Sequence, residues 1–303
     1  MRLGCGPGLY GRPGLRCYDA RPDGHLSVSL AYLRDGLVWC RQAGLRMLRL
    51  HWRLAPGPAD AALAQIEACR AELAWLGGMA RAADIRLTLH APLGAELGAA
   101  QPAVAEAASR TLITLAALLD ALDAQGGVVV SHIGGAGEAA PHRWAARALA
   151  LPPGARRRLA VEHDLSHPVG MALAVHSVCG APVVFDDLHH RLRPAGLDGQ
   201  TALARCLATW PPGVTPKVHF SSPRTEARLV RRRGLVEARL PRPEAHADLI
   251  NPFEFIAFLR GAAWQPDFDV LVEARASDVA VLRLRADVAR LAPDLAERLE
   301  IGG

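Results

Sequence analysis

The sequence predicts an α/β protein, a (β/α)8 TIM barrel forming one domain over residues 1–303. About eight short apolar runs alternate with longer Ala/Leu-rich segments along the whole chain. The runs are mostly apolar throughout, the mark of parallel strands covered on both faces. No G-x-G-x-x-G turn follows the first run, which argues against an open dinucleotide-binding sheet and for a closed barrel. No linker divides the chain.

The elements follow in order. A strand opens the chain at residues 2–4, and helical spacing over 26–43 gives the first helix, closed by Gly44. The second strand covers 47–52 and the second helix 60–83, which Gly78 helps to end. The third strand spans 84–90 and its helix 104–124; Gly126-Gly127 end that helix and open the fourth strand at 127–132. The fifth strand lies at 159–163 and its helix at 169–179, closed by Gly180. A sixth strand at 182–186 precedes a helix over 201–209, and the seventh strand covers 216–220. There the rhythm breaks. Residues 221–244 are rich in arginine and proline, carry Arg231-Arg232-Arg233 and read as a long loop. A strand over 268–274 and a helix over 278–291 complete the set.

Half of the 303 residues are hydrophobic and 21% are charged, which excludes a disordered chain. The 28 glycines and 22 prolines are aperiodic, so a collagen-like reading fails. No run of about 18 uncharged apolar residues occurs, and Met1-Arg2-Leu3-Gly4-Cys5-Gly6 lacks the apolar core of a signal peptide. The six cysteines form no C-x-x-C pair and read as free thiols in a reducing cytoplasm; a monomer without a membrane partner is also expected. A net charge of +5 permits an anionic partner. Among 35 basic residues only Lys217 is lysine. An amine, unlike a guanidinium, can lose its proton or be modified at moderate pH, which marks Lys217 as a functional candidate.

Barrel enzymes place their chemistry at the carboxyl ends of the strands. Those ends supply His90, His132, Glu162, Asp186 with His189, His219 and Glu273, while His246 lies beyond the seventh strand. Imidazoles mixed with carboxylates, and no thiolates, suit Mn²⁺, Fe²⁺ or Zn²⁺. Eight candidates exceed the needs of one ion, so two or three ions are expected, bridged by Glu162 from the middle of the series. Clustered ions suit phosphodiester cleavage, because they activate water and neutralise phosphate charge. Lys217 lies two residues before His219 on one strand, so both face the same way, into the cluster. Glu162 and Lys217 are the catalytic candidates.

These residues and their order resemble the UV damage endonuclease family (UvdE/UvsE type) over most of the chain. The similarity starts at Met1-Arg2-Leu3-Gly4 and includes His132-Ile133-Gly134-Gly135 and Glu162-His163-Asp164, where the family shows Glu-Asn-Asp. It is clearest at Asp186-Asp187-Leu188-His189-His190 and Pro216-Lys217-Val218-His219, and ends with Ala245-His246-Ala247 and Val272-Glu273-Ala274. The resemblance implies a manganese cluster bridged by Glu162, and a lysine at 217 able to carry a carboxyl modification. It also implies incision of damaged double-stranded DNA immediately 5′ to UV photoproducts or related lesions, leaving a 3′-hydroxyl.

The chain departs from the family at several points. Cys5 replaces a tyrosine, and Leu50-His51-Trp52-Arg53 stands where the second strand usually ends in serines. Ala91-Pro92-Leu93-Gly94-Ala95 replaces a Pro-x-Gln-aromatic probe, and Arg275-Ala276-Ser277 replaces lysines. Trp52 becomes the candidate stacking residue. Arg231, Arg232 and Arg233 are the candidate phosphate contacts, since they follow a strand end on the active face. Arg156-Arg157-Arg158 precede a strand and belong to the opposite face. Two other readings fit the same ligand ring: a metal-dependent sugar isomerase or epimerase, and a metal-containing barrel that binds nucleic acid without cutting it.

Overall fold

The computed structural model describes residues 1–21, 24–232 and 235–299. Seven parallel strands follow one another around a ring: β1 (Leu3–Cys5), β2 (Met47–Leu50), β3 (Arg86–His90), β4 (Val129–His132), β5 (Leu159–Glu162), β6 (Val183–Asp186) and β7 (Lys217–Phe220). An antiparallel ribbon of β8 (Arg228–Arg232) and β9 (Leu235–Arg239) intervenes before β10 (Asp269–Val272), which pairs with β7 and β1 and closes the barrel. The predicted barrel class is the one observed.

The outer layer comprises α1 (Leu26–Gln42), α2 (Ala59–Ala68), α3 (Arg70–Ala82), α4 (Pro102–Ala121), α5 (Ala140–Ala150) and α6 (Pro153–Arg156), followed by α7 (Val169–Cys179), α8 (Asp187–Leu192), α9 (Gly199–Leu207), α10 (Pro252–Gly261), α11 (Asp278–Leu291) and α12 (Pro293–Ala296). Their termini follow local chemistry. Asp198 caps α9 by accepting the amide hydrogens of Gln200 and Thr201, and Asn251 caps α10 through Phe253. Pro102 starts α4, and Gly180 ends α7 in the left-handed conformation (φ 73°).

The alternation of strand side chains sorts the residues of every strand. Leu87, Leu89, Val129, Val161, Val183, Val218, Val270 and Val272 point outward and share one core with the helices. The inward set is different: Val130, Ala160 and Val184 cluster with Trp210 inside the barrel. Gly4 is inward too, and a Cβ there would lie 2.7 Å from Met47, so only glycine leaves room for that side chain. Below this layer, Arg86 donates to Asp269 (2.9 Å) and to the carbonyls of Thr215 and Gly126. Its guanidinium lies over the Trp210 ring, and the buried group forms a polar floor at the amino ends of the strands.

Three sequence expectations change. The predicted helix over 60–83 is two helices, meeting at Cys69, and Gly78 lies inside the second rather than at its end. Gly77 beside it is the constrained position: a Cβ there would lie 1.7 Å from the Leu122 carbonyl oxygen. The 221–244 stretch is not a plain loop but holds the β8–β9 ribbon. Helices α5, α8 and α10 do not figure in the sequence reading; α8 is only six residues long, and α10 is rich in phenylalanine rather than Ala/Leu. The α4 helix is long and apolar enough to cross a membrane by composition, yet it contains Glu106, Arg110 and Asp120 and buries Leu112, Leu115 and Leu119 in the shared core.

Candidate metal centre

The same alternation delivers one inward polar residue to the mouth from each strand after β1. Arg49 comes from β2, His90 from β3, His132 from β4, Glu162 from β5, Asp186 from β6 and His219 from β7, with Glu273 one residue past β10. His189 sits in the first turn of α8, whose N-terminus Asp186 caps by accepting the His189 amide hydrogen at 2.7 Å. His246 stands at the root of the ribbon, where it bridges Pro223. The eight candidate ligands of the sequence reading therefore meet at one mouth.

Glu162 occupies the middle. Its Oε2 lies 2.9 Å from His90 Nε2 and 3.8 Å from His132 Nε2, while its Oε1 lies 2.8 Å from His219 Nδ1 and 3.9 Å from His189 Nδ1. Donor atoms of His90, His132 and Glu162 form one group within 4.8 Å of one another, and those of Glu162, Asp186, His219 and Glu273 form a second. Glu162 alone belongs to both. His246 Nε2 is 3.8 Å from Glu273 and His189 Nδ1 is 3.7 Å from Asp186.

Electrostatics in this cage are severe because Glu162, Asp186, His219 and Lys217 are all but inaccessible to water. Burial, reinforced by the Glu162 and Glu273 charges, pushes the Asp186 carboxyl up to about 8 despite the pull of His189. Burial also works to raise Glu162 and Glu273. His219 and His132 outweigh it at Glu162, and Arg49 with His219 outweighs it at Glu273, holding both well below the usual carboxylate range. Burial lowers His132, His219 and His246, favouring neutral rings, the form that ligates metals.

Two further observations fit divalent ions. His90 Nδ1 faces the Ala91 carbonyl at 2.7 Å and Nε2 faces a carboxylate oxygen at 2.9 Å. That second separation suits two ligand atoms of one ion, since adjacent donors on a shell of ~2.1 Å bonds stand about 3 Å apart. Asp186 Oδ2 and His219 Nε2 are buried without a hydrogen-bond partner, which is costly unless a ligand satisfies them.

Lys217 lies one inward position below His219. Its amine donates to Thr88 Oγ1 at 3.0 Å, under the cage rather than within it. Burial holds it well below the ordinary lysine range, helped by the nearby Arg86 and Arg49 charges, so a neutral or chemically modified nitrogen suits the site.

The sequence reading missed several residues here. Arg49 pairs with Glu273, and its alternation with Leu48 and Leu50 was the available signal. Asp164 lies 3.4 Å from His132 Nδ1 without a hydrogen bond to it, while accepting the amide hydrogens of Ser166 and His167, so its charge stands beside that candidate ligand. His163 accepts the Asp186 amide hydrogen at 3.0 Å, and its carbonyl receives His189 Nδ1 at 3.1 Å.

Trp52, just beyond β2 and 42% exposed, lies 5.7 Å from the His51 ring, which stacks on Tyr18 at 3.8 Å. Arg231 is exposed on β8. Arg232 ends that strand, and Arg233 lies outside the described residues. Arg157 and Arg158 reach Asp120 on α4, at the end of the barrel away from the ligands.

Comparison with known proteins gives a consistent picture. The family described as UV-endonuclease UvdE matches residues 27–296. A UV DNA damage endonuclease of Bacillus velezensis is 28% identical over 223 residues, covering 71% of this chain and 65% of the relative, just under two thirds of its length. The crystal structure of SacUVDE superposes with a TM-score of 0.82 at 21% identity, covering 96% of this chain and 99% of that one. An L-ribulose 3-epimerase superposes with a TM-score of 0.56 at 15% identity, covering 89% and 92%. At such identities both structures speak to fold alone.

Proposed function

The chain belongs to the UV-endonuclease UvdE family, and on that premise we propose that it is a metal-dependent DNA repair endonuclease. It incises one strand of damaged double-stranded DNA immediately 5′ to UV photoproducts or related lesions, acting as a cytoplasmic monomer. The observation that carries this reading is Glu162, whose two oxygens each face a different group of candidate ligands.

Two or three divalent ions, Mn²⁺ before Zn²⁺ or Fe²⁺, would be held by His90, His132, Glu162, Asp186, His189, His219, His246 and Glu273. When bound, such ions activate water and neutralise charge on the attacking and leaving oxygens of a phosphodiester. The chain's own residues supply the rest. Glu162 ties the two groups to one spacing, Asp164 places negative charge beside His132, and Arg49 fixes Glu273 while adding positive charge beside the phosphate's place. Lys217 supports the cage from beneath. Trp52 and Arg231, Arg232 and Arg233 are the proposed DNA contacts.

A sugar epimerase shares the barrel, so the fold does not choose between the readings. The surface beside the cluster admits a polymer. A groove of about 330 Å³ with an open side runs past His132, Asp164 and His189 to Gly134-Gly135, so a strand can pass beside the candidate ligands. The test is incubation with a photoproduct duplex, an abasic duplex and an undamaged duplex, each with Mn²⁺ and with EDTA. Nicking 5′ to damage, abolished by EDTA, is expected. Inactivity on all three substrates would sink the reading in favour of an epimerase.

A further inference from the structure

Residues 224–242 carry seven arginines against two glutamates, an excess equal to the +5 of the whole protein. The rest of the chain holds 28 basic and 28 acidic residues and is neutral. All the excess charge therefore lies in one short segment, and that segment is the β8–β9 ribbon with its stem.

In the ribbon, Leu229 stands opposite Ala238 and Arg231 opposite Val236, while Val230 stands opposite Glu237. Alternation puts Leu229, Arg231 and Val236 on one face and Val230 with Arg239 on the other. The second face turns toward the stem, where Val230 and Arg239 line a recess with Arg224, Leu240 and Ala245. The first face is left bare, with Leu229 76% and Val236 55% exposed, while on the second face Leu235, farthest from the stem, is 66% exposed. The root is fixed to the metal centre. The Pro223–His246 bridge and the Arg224–Ala245 and Ala247–Ser222 backbone hydrogen bonds tie both limbs to the end of β7, and Glu244 lines the groove beside His132 and His189.

We propose that this ribbon is a wedge for duplex DNA, with Arg231 on the phosphates and Leu229, backed by Val236, entering the base stack beside the phosphodiester at the metal centre. The proposal rests on the endonuclease reading. A two-stranded ribbon fits a DNA groove, and apolar side chains flanked by arginine are a means of prising base steps apart. Unstacking costs least where a lesion has already weakened the stack, so such a wedge favours damaged sites. An anionic bilayer would match the same charge, but the ribbon rises from the rim of a concave groove that a DNA strand can follow and a flat membrane cannot.

The test uses the Mn²⁺-loaded full chain with a duplex carrying an abasic analogue opposite 2-aminopurine, a matched intact duplex, and phosphatidylglycerol–phosphatidylcholine vesicles. The wild type is expected to raise 2-aminopurine fluorescence and to prefer the damaged duplex by at least about tenfold. Combined Leu229→Ser and Val236→Ser should reduce that preference to within about twofold and abolish the fluorescence rise. The thermal midpoint and Mn²⁺ stoichiometry should remain those of the wild type. Arg231→Ala should weaken both duplexes alike and lower the salt slope by about one. If the double variant keeps the preference and the fluorescence rise while the wild type nicks damaged DNA, the wedge is overturned and the endonuclease reading survives. A wild type that neither binds nor nicks any duplex overturns both. Vesicle binding lost in the double variant, with the DNA preference kept, assigns the ribbon to lipid and overturns the wedge.

Discussion

At the scale of single residues, the proposed chemistry centres on Glu162 and Lys217, and both were legible for the same reason. An apolar strand that ends in an acid, or contains the chain's one lysine, needs an explanation other than packing. Arg49 was overlooked, because a lysine-poor chain spreads arginine everywhere and only its place between Leu48 and Leu50 marks this one as facing inward. Glu162→Gln preserves shape but removes the charge shared by the two ligand groups; it should lower nicking by about 1,000-fold and reduce bound Mn²⁺ with the fold retained. Undiminished nicking would refute the bridging role. Lys217→Arg forces a larger, permanently charged group into a sealed slot between Arg86 and Arg49, so activity should fall by at least about tenfold and the thermal midpoint should drop. Lys217→Met fills the slot without an amine. Full activity in that variant would reduce the lysine to packing.

At the scale of elements, the barrel strands and the long helices were readable because period 2 and period 3.6 leave distinct patterns. What escaped were pieces too short to show a period, such as α8, and elements whose partner is not in the core, such as the β8–β9 ribbon with its exposed residues. The α8 helix owes its start to a candidate ligand, since Asp186 caps it with one oxygen and turns the other, unpartnered, into the cage. Asp186→Asn should therefore keep the cap while losing Mn²⁺. Asp186→Ala should lose both and be less stable than the asparagine variant by about 1 kcal/mol in denaturant titration. Equal stability of the two would remove the capping role.

At the scale of the whole molecule, three carboxylates and their imidazole neighbours are gathered at one mouth of a closed barrel, and cations that bind only this folded arrangement stabilise it. Mn²⁺ at 100 times its dissociation constant should stabilise the protein by about 2.7 kcal/mol, which differential scanning calorimetry would read as a rise of about 5 °C or more. The rise should shrink in Glu162→Gln, and a wild type indifferent to Mn²⁺ would contradict ion binding in the cage. The polar floor of Arg86, Asp269 and Trp210 adds a last consequence. With its base plugged, the cylinder is a cup and not a tube, so among the described residues the cage opens at its mouth alone and solutes arrive from that side. A duplex lying across that opening would act as a stopper, trapping what was loaded beforehand and shutting out what arrives late.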